Sequence, residues 1–324
     1  MSYEQGENTR GIEQKEKEPN ISYHFFYSYH DTAKDIENLG NAFKEADIYV
    51  PEAIMHTDEV RGCFVLLSRG LITSEEVAEG MDIKKNDSRF REFEIIYNSQ
   101  KPILFADCPA TDTGLVQKLQ EWTKALGKGE QNFVEGRLSQ AIEEIRSFIN
   151  IFVEFQEERE KIIKINLNNQ LKFFLEKHKE YTNKEKLRVL IKLGAYHTNL
   201  YHKFKEEDLS VSREFNQIPI TYSIWNEAER MTQFNKDVSD EILAKGLIDI
   251  FLMAYLRDSS NDSEKIIRVN RKLLQSLKLK DIEQISKDYS KNQVINISEE
   301  LKKFNITVPK SEEEMDKILG TKEE

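Results

Sequence analysis

The sequence predicts an α/β protein. It should hold a central, mostly parallel or mixed sheet of about five strands, with many flanking helices and a helix-rich C-terminal half. Three observations lead there. Tyr23–Tyr29 (YHFFYSY), the amphipathic Asp31–Ala46 and the short apolar Asp47–Ile54 make a β-α-β unit, and such units build parallel sheets. A second strand-then-helix pair recurs at Leu187–Leu193 (LRVLIKL) and Thr198–Glu207. No Pro occurs between residues 110 and 218, so long helices can run unbroken there.

Taken in order, the aromatic run at 23–29 suits a pleated surface. Ile36, Leu39 and Phe43 then recur at helical spacing, and Asp31 or Thr32 can cap that helix. Pro51 sits near the end of the second strand. Residues 56–100 read as mainly helical, and Lys101–Ala106 (KPILFA) as a third strand. Helices are expected at Gly114–Leu126, at Phe133–Lys164 with Leu138, Ile142, Ile145, Ile149 and Phe152 on one side, and at Asn168–Lys179. Leu187–Leu193 is the fourth strand and Arg213–Ile220 the fifth. Helix follows to about Leu301, and Asn305–Val308 (NITV) offers one last short strand.

The 324 residues carry a net charge of −11, of which 1–22 supply −2 and 310–324 supply −3. These polar ends are expected to be disordered acidic tails around a single domain at 23–310. The totals indicate no basic face for nucleic acid. Apolar windows such as Leu247–Leu256 are too short to span a bilayer, and residues 1–22 contain no apolar signal segment. Cys63 and Cys108 form no disulfide framework. A cytoplasmic protein acting on a small molecule or peptide, away from membranes, is the expectation.

Only six His occur, and two of them end strands and start helices: His30 after Tyr27-Ser28-Tyr29, and His197 after Gly194-Ala195-Tyr196. Ligands bind beyond the carboxyl ends of strands in open α/β sheets. Glu52 ends the second strand at the same edge, and Asp107 the third. His30, Glu52 and His197 can hold a divalent metal ion with positions open for water, or can share acid/base work without one. Asp31, Asp107 and Tyr196 are expected to orient them. His24 reads as a structural strand residue, and His56, His178 and His202 as polar helical positions. Cys108 has no base beside it, and Arg89 and Arg91 read as a solvated helix face, with an anion clamp as the other reading.

These same segments, in this order, resemble the TraB/PrgY, TIKI, ChaN and erythromycin-esterase-like superfamily. The resemblance covers residues 23–200 and rests on two G-x-x-H strings, an acid ending the second strand and a D-R-P segment. Here these are Tyr27-Ser28-Tyr29-His30, Glu52, Asp107-Cys108-Pro109 and Gly194-Ala195-Tyr196-His197. Tyr27 stands for the first Gly, and Cys108 for the Arg. The resemblance implies a metal-dependent hydrolase of peptide or ester bonds. The two departures suit a second reading, a catalytically inactive binding or regulatory protein that keeps the fold. A third is a helical interaction protein, in which the Leu247–Tyr255 segment pairs with a partner.

Overall fold

Alternation sets the sheet. Tyr23, Phe25 and Tyr27 point to one face and Phe26 to the other, as the two-residue period of a strand requires. The computed structural model describes residues 19–28, 33–85, 87–215, 222–260, 262–291 and 297–320. In order these form β1 (Asn20–Ser28), α1 (Ala33–Glu45), β2 (Ile48–Val50), α2 (Asp58–Ser68), α3 (Ser74–Gly80) and α4 (Ser88–Ser99). Next come α5 (Thr113–Val134), α6 (Leu138–Lys177), α7 (Lys179–Thr182), β3 (Lys186–Gly194), α8 (Thr198–Glu206) and β4 (Ser210–Phe215). The remainder is helical: α9 (Ile224–Gln233), α10 (Asp240–Arg257), α11 (Ser263–Leu274), α12 (Leu279–Lys291), α13 (Ile297–Lys302) and α14 (Glu312–Leu319). The protein is α/β, with a helix-rich C-terminal half.

The sheet is parallel, in the order β2-β3-β1-β4. One face packs on α8 and the end of α6, through Leu200, Phe204, Ile163 and Leu167. The other packs on α1 to α4, through Leu39, Phe43, Phe64 and Phe93. Neighbouring strands β1 and β3 are thus followed by helices on opposite faces. Their connections diverge, and a crevice opens beyond Ser28 and Gly194, which are register partners.

Four strands are present among the described residues, not five. The 101–106 segment makes only a parallel bridge, Tyr49 to Ile103. Pro102 has no N–H to give a ladder. The outer edge of the segment is bonded instead by side chains of α6. Gln170 donates to Phe105 O at 2.6 Å and accepts from Phe105 N at 2.9 Å, and Asn166 donates to Ala106 O at 3.2 Å. Residues 305–308 form no strand, because Ile306 and Val308 insert into the helical core. The helices expected at 133–164 and 168–179 are a single helix, α6, which begins at Leu138. Gly136, at φ +78°, makes the left-handed turn before it. Asn168 caps nothing, since Ile163, Leu167, Leu171 and Phe174 continue the apolar stripe past it. At 40 residues α6 is about 60 Å long, and it joins the sheet to the helical bundle.

The expected tail from Ser311 is instead a capped helix to Leu319. Ser311 accepts from Glu314 N at 3.3 Å, and Met315 is buried. Residues 20–22 belong to β1 rather than to a tail, while 1–18 and 321–324 lie outside the described residues. In α10, Leu247, Ile248 and Leu252 are fully buried in the bundle, so the 247–255 segment is core and not a partner surface.

The bundle buries two acids, Asp249 and Glu229, that join no ion pair among the described residues. Burial pushes Asp249 up to about 6, where it accepts from Trp225 N at 3.3 Å. Burial raises Glu229 well above the ordinary carboxylate range, although it accepts hydrogen bonds from the Trp225 side chain and from Asn226 Nδ2 at 3.2 Å. A raised folded-state pKa means that acid favours the native state. The stabilisation is complete below the unfolded value of 4.5 and is lost as pH rises through the folded value. Each unit of displacement is about 1.4 kcal/mol. Glu229→Gln should therefore melt above the wild type by a margin that widens from pH 5 to pH 8. A margin that does not change with pH would contradict a protonated Glu229.

Candidate active site

At the carboxyl edge of the sheet, Arg159 of α6 is almost fully enclosed, with 3% of its side chain exposed. Its Nε and Nη2 donate to Asp107 Oδ1 and Oδ2 at 2.9 and 2.6 Å. Nη2 also donates to Glu52 Oε1 at 2.8 Å, and Nη1 lies 2.9 Å from His197 Nε2. One planar fork thus holds three side chains brought from β2, the 101–106 segment and the β3–α8 turn. Burial opposes the charge of Arg159, but Asp107 and Glu52 outweigh it and raise the guanidinium pKa.

Each acid is fixed a second time by backbone. Glu52 Oε2 accepts from Gly194 N at 2.6 Å. Asp107 accepts from Ala53 N at 3.1 Å and from Cys108 N at 2.7 Å. Arg61 donates to Asp107 O at 3.0 Å. Cys108, where the resemblance expects an Arg, is buried, and burial with Asp107 pushes its thiol up to about 12. Arg159 and Arg61 supply cations at this place. Tyr27, the other departure, is buried and donates its hydroxyl to His197 O at 3.0 Å.

His197 closes the short 3-10 turn Ala195–His197 and is 2% exposed. Nε2 lies 3.7 Å from Glu52 Oε1, and Nδ1 lies 3.7 Å from Glu160 Oε1. Nδ1 and that Oε1 are buried and have no hydrogen-bond partner among the described residues, while Glu160 Oε2 accepts from Lys203 at 2.8 Å. Burial and Arg159 lower the His197 pKa, Glu160 and Glu52 raise it, and the carboxylates prevail. At 2.9 Å from Arg159 Nη1, Nε2 must accept, so the neutral ring carries its proton on Nδ1, facing Glu160. Protonating Nε2 would oppose two donors and displace one of them.

Of the expected site residues, Glu52, Asp107 and His197 meet. Tyr196 does not join them through its ring, which packs against Phe152 and Tyr222. His30 and Asp31 lie outside the described residues. Among the described residues no three His, Cys, Asp or Glu are grouped to hold a metal. Glu52 and His197 do not fit as a ligand pair here, because both turn onto Arg159 and its charge would repel a divalent cation.

Beside the cluster is a cavity of about 350 Å³. Its walls include Leu39, Ile54, Phe64 and Phe93, and its polar groups include Glu52, His56, Arg89, Glu92 and Lys192. Lys192 pairs with Glu92, which also accepts from Tyr49 OH at 2.6 Å. Burial lowers the His56 pKa, against the nearby acids, so the ring is neutral at pH 7. Arg89 is exposed and pairs with Asp87 at 2.6 Å.

No motif in the sequence marks Arg159, Glu160, Glu92 or Lys192 as site residues, and His56, expected at a polar helical position, lies instead in the loop before α2 and lines the cavity. Arg159 and Glu160 did leave a signal. The buried stripe of α6 passes through Phe155, Gln156, Arg159, Glu160 and Ile163, which places charge where apolar residues are the rule. No family model, curated protein or solved structure matches this chain.

The Glu160 contact can be read in solution. Glu160→Gln removes a group that raises the His197 pKa, so the ring should titrate at lower pH by nitrogen-detected NMR. An unchanged titration would break the Glu160–His197 link.

Proposed function

We propose that this protein hydrolyses an ester or peptide bond in a small-molecule or peptide substrate, as the superfamily resemblance implies, by acid/base catalysis at Glu52. One observation carries the reading: Glu52 belongs to the buried ionic cluster and also lines the cavity. Water held in the cavity would add to the substrate carbonyl as Glu52 takes its proton. The same proton would then go to the departing oxygen or nitrogen, returning Glu52 to its starting state. Arg159 keeps Glu52 in one rotamer, and Gly194 N–H holds the carboxylate's other oxygen. His56 and Lys192 supply donors in the cavity for the oxyanion. The divalent ion expected from the resemblance has no role in this scheme. Among the described residues no helix is long and apolar enough to cross a membrane. We place the enzyme in the cytoplasm, with Cys63 and Cys108 as free thiols.

The burial of His197 favours a second reading, a binding or regulatory protein that retains the arrangement without turnover. A panel of nitrophenyl esters and peptide nitroanilides separates the two. The hydrolase reading expects turnover that survives chelation and falls at least about a hundredfold in Glu52→Gln, with the fold intact. Turnover lost on chelation and restored by a divalent metal would favour the metal-dependent form. No turnover on any substrate would favour the second reading.

A further inference from the structure

A second cleft, of about 450 Å³, lies between α9 and α11 in the helical half. Its charged groups are Arg230, Lys236, Arg271 and Glu227, three cations to one acid in a chain of net charge −11. Arg271 is committed to the fold. It pairs with Glu227 at 2.6 Å and donates to Tyr222 O at 2.8 Å.

Arg230 differs. Its guanidinium carbon lies 4.5 Å from the Tyr222 ring centre and 5.6 Å from that of Phe234, so two rings orient it. Its hydrogen bonds to Ala195 O at 3.5 Å and Thr198 Oγ1 at 3.4 Å are long and both come from Nη1, and it also donates to the Tyr222 hydroxyl. Among the described residues it joins no ion pair, and neither does Lys236. A guanidinium held in place, with donors to spare and no carboxylate, is a ready receptor for an oxyanion.

We propose that this cleft binds a small molecule bearing a phosphate or carboxylate group. Arg230 grips the oxyanion, Lys236 and Arg271 add charge, and the cleft has the volume of a small-ligand site. The proposal does not rest on the hydrolytic reading, since no residue of the Arg159 cluster lines this cleft.

Calorimetric titration of the full chain at fixed ionic strength tests it, with inorganic phosphate, pyrophosphate and malonate as probes. Binding of the phosphate probes would assign a phosphate ligand, and binding of malonate alone a carboxylate ligand. Arg230→Gln should weaken whichever binds by about tenfold or more, the worth of a charge-assisted hydrogen bond. Lys236→Gln, at an exposed position with no side-chain partner among the described residues, should weaken it less, with melting unchanged. Glu227→Gln should tighten it by removing the acid. No binding of any probe, or equal binding by the wild type and both cation variants, overturns the proposal.

Discussion

A single buried guanidinium organises the candidate site. Arg159 projects from the middle of α6 and meets Asp107, Glu52 and His197, which come from three separate segments at the sheet edge. Two carboxylates at that depth would repel each other and lose hydration, and a buried charge is tolerated only when paired and hydrogen-bonded. The fork geometry of Arg satisfies both acids at once, where the ammonium of a Lys could not. Backbone N–H groups of Ala53, Cys108 and Gly194 take up the remaining lone pairs. The cluster therefore ties the end of the sheet to the long helix.

That tie explains the division of labour along α6. Its N-terminal half packs in the helical bundle through Ile142, Ile145 and Ile149, and its C-terminal half packs under the sheet through Ile163, Leu167 and Leu171. Arg159 and Glu160 lie between the two cores, where the helix passes the open end of the strands. The polar interruption of an apolar stripe thus coincides with the crevice between β1 and β3. The cavity is reached from the other face of the sheet, and Glu52 is the group common to cavity and cluster. Glu52 keeps 15% of its side chain exposed, against 3% for Arg159 and 2% for His197.

The strand-ending residues were legible because strand ends are local. Tyr49-Val50-Pro51-Glu52 and Gly194-Ala195-Tyr196-His197 carry their own punctuation, and parallel strands bring their carboxyl ends to one edge. The 101–106 segment has the composition of a strand, but its outer edge is bonded by Gln170 and Asn166, side chains 65 and 60 residues away. The local preference of Asn168 predicts a helix start within α6, and the burial of Leu167 and Leu171 overrides it. The Ser311 segment has the composition of a tail, yet one buried residue, Met315, and a serine cap hold it as a helix. Arg159 is the largest omission. A charged residue in a long amphipathic helix reads as solvent-facing until the partner acids are placed beside it.

A double-mutant cycle between Arg159 and Asp107, followed by urea unfolding, tests the organising role of the guanidinium most directly. Arg159→Met should cost about 3–5 kcal/mol, because it strands buried carboxylates. Asp107→Leu added to it should recover part of that loss, giving a coupling energy of about 2 kcal/mol or more. Additive losses, with no coupling, would show that the two side chains do not depend on each other, and would contradict the account.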